Sequence, residues 1–324
     1  LTSIKSRYSA MPAAYHRLNC RISGNKVFFL FLLWATPFTA DKVEIINEDG
    51  MSVVHLIGNV VIEDQTLKIT CSQARLHESD DYVVLIDDVD IIDKNGEIKA
   101  AYAVFYFEDS KGYLKDSVTL FSGDEVITAD SLFYDGVADH VKMFRDVVID
   151  DKKNDLMAFG QEGWYDLKAD EGYLFKEPRL EIAREDKEPM MVNAHEFRLR
   201  ADSNQFFGYD SVVALIDSIT IYCDTFMYNM RENIGTMVKP VVIEKDNRLH
   251  GQTGQFTVTD NEITGFGVQN GWSEYHTEEG SKNIVEGEEI DIMFRAGKAV
   301  KITVTGRPEG VLRLKRKDED AGDE

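Results

Sequence analysis

The side chains of this 324-residue chain that could do chemistry are few and scattered. Its seven histidines, His16, His55, His77, His140, His195, His250 and His276, form no HxH, HExxH or Cys/His spacing that would bring ligands to one zinc ion. His195 and His250 fall beside small residues of a repeat described below and read as strand-face or surface side chains. Asp88 and Asp90 could form a carboxylate dyad or take calcium through oxygen ligands. They alternate with strand-forming residues in an acid-rich chain, so the pair reads instead as a solvated face. No GxSxG elbow, phosphate-binding P-loop or GxGxxG is present, and the glycine-rich calcium nonapeptide of β-rolls is absent. The sequence therefore assigns no catalytic residue, metal site or cofactor, and the expectation is a protein that is not an enzyme.

Charge narrows the partners. Asp plus Glu number 58 against 36 Lys plus Arg, a formal net charge of −22, which argues against a nucleic-acid backbone as ligand and for a self-repelling surface. The content of 43% hydrophobic residues with only six prolines is that of a folded protein.

The elements come from a repeat. The stretch Ile127 to Tyr134, ITADSLFY, recurs about every thirty residues as ITCSQARL from Ile69, KAAYAVFY from Lys99, AFGQEGWY from Ala158, VNAHEFRL from Val192, IYCDTFMY from Ile221, LHGQTGQF from Leu249 and VEGEEIDI from Val285. Its third position is always small: Cys71, Ala101, Ala129, Gly160, Ala194, Cys223, Gly251 and Gly287. Its eighth is always large: Leu76, Tyr106, Tyr134, Tyr165, Leu199, Tyr228, Phe256 and Ile292. Self-similarity at a fixed period signals a stacked repeat architecture. Cys71 and Cys223 thus read as compact core residues, since a disulfide between them would have to span five repeats.

Around this stretch the text is strand-like throughout. Short runs with apolar residues two apart (Val60 and Ile62, Val89 and Ile91, Val118 and Leu120, Val147 and Ile149, Leu180 and Ile182, Val241 and Ile243) precede it, and runs such as YVVLI, GYLK and FFGY follow it. The expected repeat is strand, strand, strand. Within ITADSLFY the apolar phase changes from Ile127 and Ala129 to Leu132 and Tyr134, which requires a bulge or bend beside the small residue if both halves face one interior. The small residues are therefore expected to mark a stacked corner. An all-β, elongated, folded-over sheet built from stacked repeats of about thirty residues, with two long walls facing each other, follows. Val104, Tyr106, Leu132, Tyr134, Phe197, Phe226, Tyr228, Phe256 and Ile290 are its candidate wall-lining residues, forming a closed core if the walls meet and an apolar trough if they gape.

The chain ends differ from the repeat. Residues 1–40 carry five basic residues and no acidic one, then the apolar run Val27 to Ala35 and TPFTA before Asp41. That run is too short to span a bilayer, and the pattern is expected to be a cleavable export signal cut near Ala40, the alternative being an uncleaved single anchor. Removal would leave 31 basic against 58 acidic residues, a charge of −27. Residues 41–314 read as one repeat domain, and 315–324 as a charged tail expected to be disordered.

The stretch LIGNVVIEDQTLKITCSQARL from Leu56 to Leu76, with its echoes SGDEVITADSLFYD and DSITIYCDTFMYN, resembles the OstA-like repeats of the LptA family of lipopolysaccharide-transport proteins and of the amino-terminal domain of LptD. The resemblance covers nearly all of residues 41–314. It implies a folded-over β-jellyroll (a β-taco) in the periplasm that holds lipid A acyl chains in an apolar groove. It also implies joining end to end, with other Lpt-type envelope proteins or with itself, by strand augmentation. No catalytic or head-group motif comes with it. The array reads as longer than in a small member of that family, no stretch of these 324 residues reads as the carboxy-terminal barrel of LptD, and the acidity disfavours bound phosphates, so head groups would stay in solvent or be bridged by divalent cations. The competing expectations are a structural or interaction rod of the envelope that binds no lipid, and a polysaccharide-acting enzyme, for which the required outer cluster of carboxylates and aromatics is not found in the sequence.

Overall fold

Runs of β-branched and aromatic residues broken by Asp, Asn and Gly clusters can satisfy their backbone groups only by pairing side by side. In the computed structural model they do so throughout. The structure describes residues 37–313 apart from 49, 64–66, 78–79, 94–95, 107, 167, 170, 201–202, 277–280 and 296–297. The export-signal pattern up to residue 36 and the charged tail lie outside the described residues.

β1 (Phe38–Thr39) and β2 (Lys42–Glu48) form one end. Eight long strands follow: β3 (Met51–Glu63), β4 (Leu67–His77), β5 (Tyr82–Asp93), β6 (Gly96–Tyr106), β7 (Lys111–Ser122), β8 (Glu125–Asp135), β9 (His140–Asp151) and β10 (Leu156–Asp166). Shorter pieces come next: β11 (Glu171–Phe175), β12 (Arg179–Arg184), β13 (Lys187–Asn193) and β14 (Glu196–Arg200). The long pair β15 (Gln205–Ile216) and β16 (Ile219–Asn229) precedes β17 (Ile234–Val238), β18 (Val241–Glu244), β19 (Asn247–His250) and β20 (Thr253–Thr259). The far end is β21 (Glu262–His276), β22 (Lys282–Arg295), β23 (Lys298–Thr305) and β24 (Glu309–Arg313).

All pairings are antiparallel, and each long strand contributes one half to each of two facing walls. The fold is an all-β, elongated, folded-over sheet. One contiguous apolar core, from Leu56 to Ile290, fills the space between the walls.

The repeat is two strands, not the expected three. The run YVVLI and the pair Val89 and Ile91 belong to the single strand β5, with Asp87 and Asp88 between them at φ 55° and 53°. Consecutive left-handed residues recur at Asp116 and Ser117, Arg145 and Asp146, Lys176 and Glu177, and Asp210 and Ser211, with Gly58 and Asn59 before them. Each such pair in a long strand stands opposite a single residue of its neighbour: Lys115 pairs with Ser131 and Val118 with Ala129, so Asp116 and Ser117 face Asp130 alone. This is a β-bulge, and it bends the strand. The inserted residues therefore lie in the partner of the ITADSLFY-type strand rather than in that strand itself. Asp, Asn and Ser tolerate the left-handed region through local side-chain hydrogen bonds, so the sequence reads like a turn where the chain runs on.

At the corner a valine meets a small residue. Val60 pairs with Cys71, Val89 with Ala100, Val118 with Ala129, Val147 with Gly160 and Val212 with Cys223. Gly251 shows why bulk is excluded: an added Cβ would lie 2.6 Å from Val268 Cβ.

Candidate functional site

The interior between the walls is the candidate site, and the register of cross-strand pairs builds it. On one wall an unbroken inward row runs Leu114, Leu132, Met143, Gly163, Leu174, Phe197, Gly208, Phe226, Met237, Gly254, Val268, Ile290. A parallel row runs Phe206, Tyr228, Gly235, Phe256, Phe266, Ile292. Gly163, Gly208, Gly254 and Gly235 interrupt these rows beside large side chains, which lets a narrow interior fill without strain. At Gly235 the ring of Phe256 takes the space a Cβ would need, 2.1 Å from its Cε1.

Leu132, Phe197, Phe226, Tyr228, Phe256 and Ile290 are buried in this interior, and Tyr134 packs against it half-buried. Phe197, Phe206, Phe226, Phe256 and Phe266 form a chain of ring contacts with centroids 5.8–6.4 Å apart. Tyr228 stacks on Phe256 at 5.9 Å. Burial pushes the hydroxyls of Tyr134 and Tyr228 up to about 12.

Two candidates lie on the alternate face of β6, Val104 buried there and Tyr106 open to solvent. Val104 pairs with Val84 and Tyr113, and Tyr106 with Tyr82 and Lys111, while Ala103 and Phe105 point inward beside Leu85 and Val83. Tyr106 is 45% exposed and contacts Tyr82 on the outer face at 5.5 Å. The physical cause is a one-residue offset in reading KAAYAVFY: the residue opposite Val89 is Ala100, not Ala101, and five residues beyond Ala100 is Phe105. A slip of one residue exchanges the faces of a strand. Similarly Val242, rather than Val241 and Ile243, points into the core.

Of the other small-column residues, Cys71, Ala129, Gly160 and Cys223 lie beside register shifts of their strand pairs, Ala194 and Gly251 lie between strands, and Gly287 pairs with Gly271. Cys71 and Cys223 are free thiols, raised by burial to about 11 and about 12. Asp88 occupies a bulge and accepts a hydrogen bond from Ser72 Oγ at 3.1 Å. Asp90 lies beyond it opposite Lys99, its carboxyl raised first by burial and then by the charge of Glu97.

Two polar clusters carry no sequence signature. On the outer face, Glu171 accepts from both Arg198 Nη2 and Nε (2.6 and 3.0 Å), from Arg200 Nε (3.0 Å) and from the Tyr173 hydroxyl (3.0 Å). Burial alone would raise this carboxyl, but those donors outweigh it and hold it below the usual range. At the open side of the fold, Arg184 Nη1 donates to the carbonyl of Asn261 at 3.2 Å and Lys187 Nζ pairs with Glu262 at 2.7 Å. These partners are 77 and 75 residues away, which no local spacing could reveal.

The strands at both ends of the fold carry exposed apolar side chains. Ile45 on β2 is 74% exposed and Leu312 on β24 is 69% exposed. β2 pairs along its length with β3, and β23 and β24 pair with β22, so each end presents a strand edge. Phe38 and Thr39, on the amino side of the expected cleavage point, pair with Ile62 and Val61, and cleavage at Ala40 would bare that edge. Among the described residues no group of three or more His, Cys, Asp or Glu could hold a metal ion.

No protein-family model matches the chain, and no curated protein matches it. Among solved structures it is similar to the crystal structure of LptH, the LptA-homologous periplasmic component of the lipopolysaccharide transport device of Pseudomonas aeruginosa. The two share 14% identity with a TM-score of 0.30, over 33% of this chain and 76% of that one.

Proposed function

We propose that this chain is a non-enzymatic rod of the periplasm whose interior takes the acyl chains of lipopolysaccharide or a similar amphiphile and passes them along toward the outer membrane. The observation that carries the reading is a single apolar interior running from Leu56 to Ile290, flanked by end strands with exposed apolar residues, in a chain whose repeats resemble those of the LptA family. Leu132, Tyr134, Phe197, Phe226, Tyr228, Phe256 and Ile290 line that path. Acyl burial at about 0.8 kcal/mol per CH₂ supplies affinity, and similar successive repeats supply sites of similar energy, so sliding needs no covalent step. Direction must come from an energy source outside the chain. The edges of β2, β23 and β24 would recruit other envelope proteins, or further copies, by strand addition.

The test is lipid extraction from the purified protein, with photocrosslinking from Phe226 and Tyr134. Lipid A or another acyl amphiphile recovered at those positions is the expected result, and a lipid-free interior that crosslinks to nothing refutes the conduit. One observation favours the second reading, a closed structural rod: Phe197, Phe206 and Phe226 are fully buried, so at those rings the walls meet.

A further inference from the structure

The open side of the fold holds a cavity of about 650 Å³ midway along the molecule, between hairpin tips of the two walls. The floor is apolar: Ile182, Met190 and Ile216 from one wall, Tyr228, Met230 and Val258 from the other. Its volume lies within the roughly 300–1,000 Å³ of pockets that hold drug-sized ligands, and its exposed lining is more polar than apolar because the apolar floor lies beneath a charged rim. Across the opening, Arg184 is anchored at its own tip by Asp217 (2.8 Å) and the Glu188 carbonyl (2.6 Å) while it also reaches Asn261 on the opposite wall. The Arg184 side chain is only 6% exposed. Lys187 makes the second tie, to Glu262. The rim is acidic, with Asp155, Glu185, Asp186 and Asp260 against Lys153 and the already paired Arg184, which disfavours a free anionic head group.

We propose that this cavity is a side port through which the apolar chain of a neutral or cation-bridged amphiphile reaches the interior, and that Arg184 and Lys187 are the latch that holds it shut. The proposal rests on the reading of the interior as a site for apolar chains. Parting the tips breaks the Asn261 and Glu262 ties but leaves Arg184 on Asp217, so no buried charge is stranded. The port can therefore open without disturbing the rest of the wall. Lys187 and Glu262 are each about a third exposed, so salt loosens that tie.

The probe is N-phenyl-1-naphthylamine, a neutral aryl amine whose fluorescence rises in apolar surroundings, mixed with the full chain in a stopped-flow instrument. In the Arg184→Met, Lys187→Met double variant, which keeps the apolar stems, uptake and release should both speed up by about tenfold while Kd moves far less, as expected of a gate. In the unaltered chain, raising salt to ~0.5 M should speed uptake in the same direction, with no such gain in the double variant. Ile216→Trp, filling the floor, should suppress uptake. Uptake that is equal in both proteins, insensitive to salt and indifferent to Ile216→Trp overturns the port and its latch while leaving an accessible interior standing. No bound probe in any of these proteins overturns the port and the reading of an accessible interior together.

Discussion

Strands β3 to β10 cross the corner unbroken, and one row they send inward is aliphatic (Leu56, Leu85, Leu114, Leu132, Met143), with Phe105 and Tyr134 the aromatic members beside it. From β11 to β20 most strands stop at the corner, and the interior is aromatic. The break has a backbone cause. Pro178 and Pro240 stand at the corner without an N–H, so the ladder cannot run through them. Their carbonyls accept instead from Ala194 N at 3.5 Å and Gly251 N at 3.2 Å. The half that loses ladder continuity is the half with the phenylalanine chain, the Glu171 cluster and the ties across the opening. A folded-over sheet can thus be held at its crease by backbone continuity or by what fills and straps it, and this chain uses both.

The sharpest way to break that comparison is Phe226→Ala. With rings packed on it at 5.8 and 5.9 Å, its loss should cost about 3–5 kcal/mol, above the about 3 kcal/mol of Leu114→Ala in the other half, measured by chemical denaturation. A cost under ~1 kcal/mol would mean that the rings do not hold the walls together. Next in size, Gly235→Ala should cost about 2 kcal/mol, because Phe256 is wedged between Tyr228 and Phe266 and cannot retreat from the new methyl.

Glu171→Gln should cost about 1–2 kcal/mol at neutral pH, less than a buried ion pair because Arg198 and Arg200 are partly exposed. The native carboxyl is held below its unfolded value, so its contribution is present above the ordinary carboxylate range and is lost as pH falls through the lowered value. The stability gap between the two proteins should therefore close on acidification, and a gap that widens contradicts the assignment. The smallest effect is expected at the crease. Glu177, at φ 60°, should gain up to ~1 kcal/mol on replacement by Gly, whereas Asp88→Gly in the unbroken half should be near neutral because Asp accepts that conformation.

Much of this was legible before folding. Period-two alternation and the small column locate the crease in seven of eight repeats, because a corner excludes bulk wherever it recurs. Ala100 and Ala101 are adjacent and identical, so volume cannot set the register there, and Tyr106, exposed, and Val104, buried outside the contiguous core, fall on the face opposite to the one the spacing predicts. Val241, Val242 and Ile243 form an apolar run without alternation, which hides its phase. Asp87 and Asp88 look like a turn because left-handed Asp usually ends a strand. Arg184 and Lys187 meet partners set by the stacking of distant repeats, and charge spacing along the chain holds no trace of them.

The two buried thiols of the described residues divide between the halves, Cys71 in the continuous one and Cys223 in the broken one, on the long strand β16 whose other neighbours, β17 and β18, stop at the corner. Raised to about 11 and about 12, neither offers appreciable thiolate at neutral pH, and neither is accessible while the crease is closed. Each is therefore a built-in clock for its own half. Alkylation must wait for a local opening, and its rate counts how often that opening occurs. If backbone continuity holds the crease more firmly than packing does, Cys223 will be labelled before Cys71, with mass spectrometry reading the order in a single sample of unaltered protein.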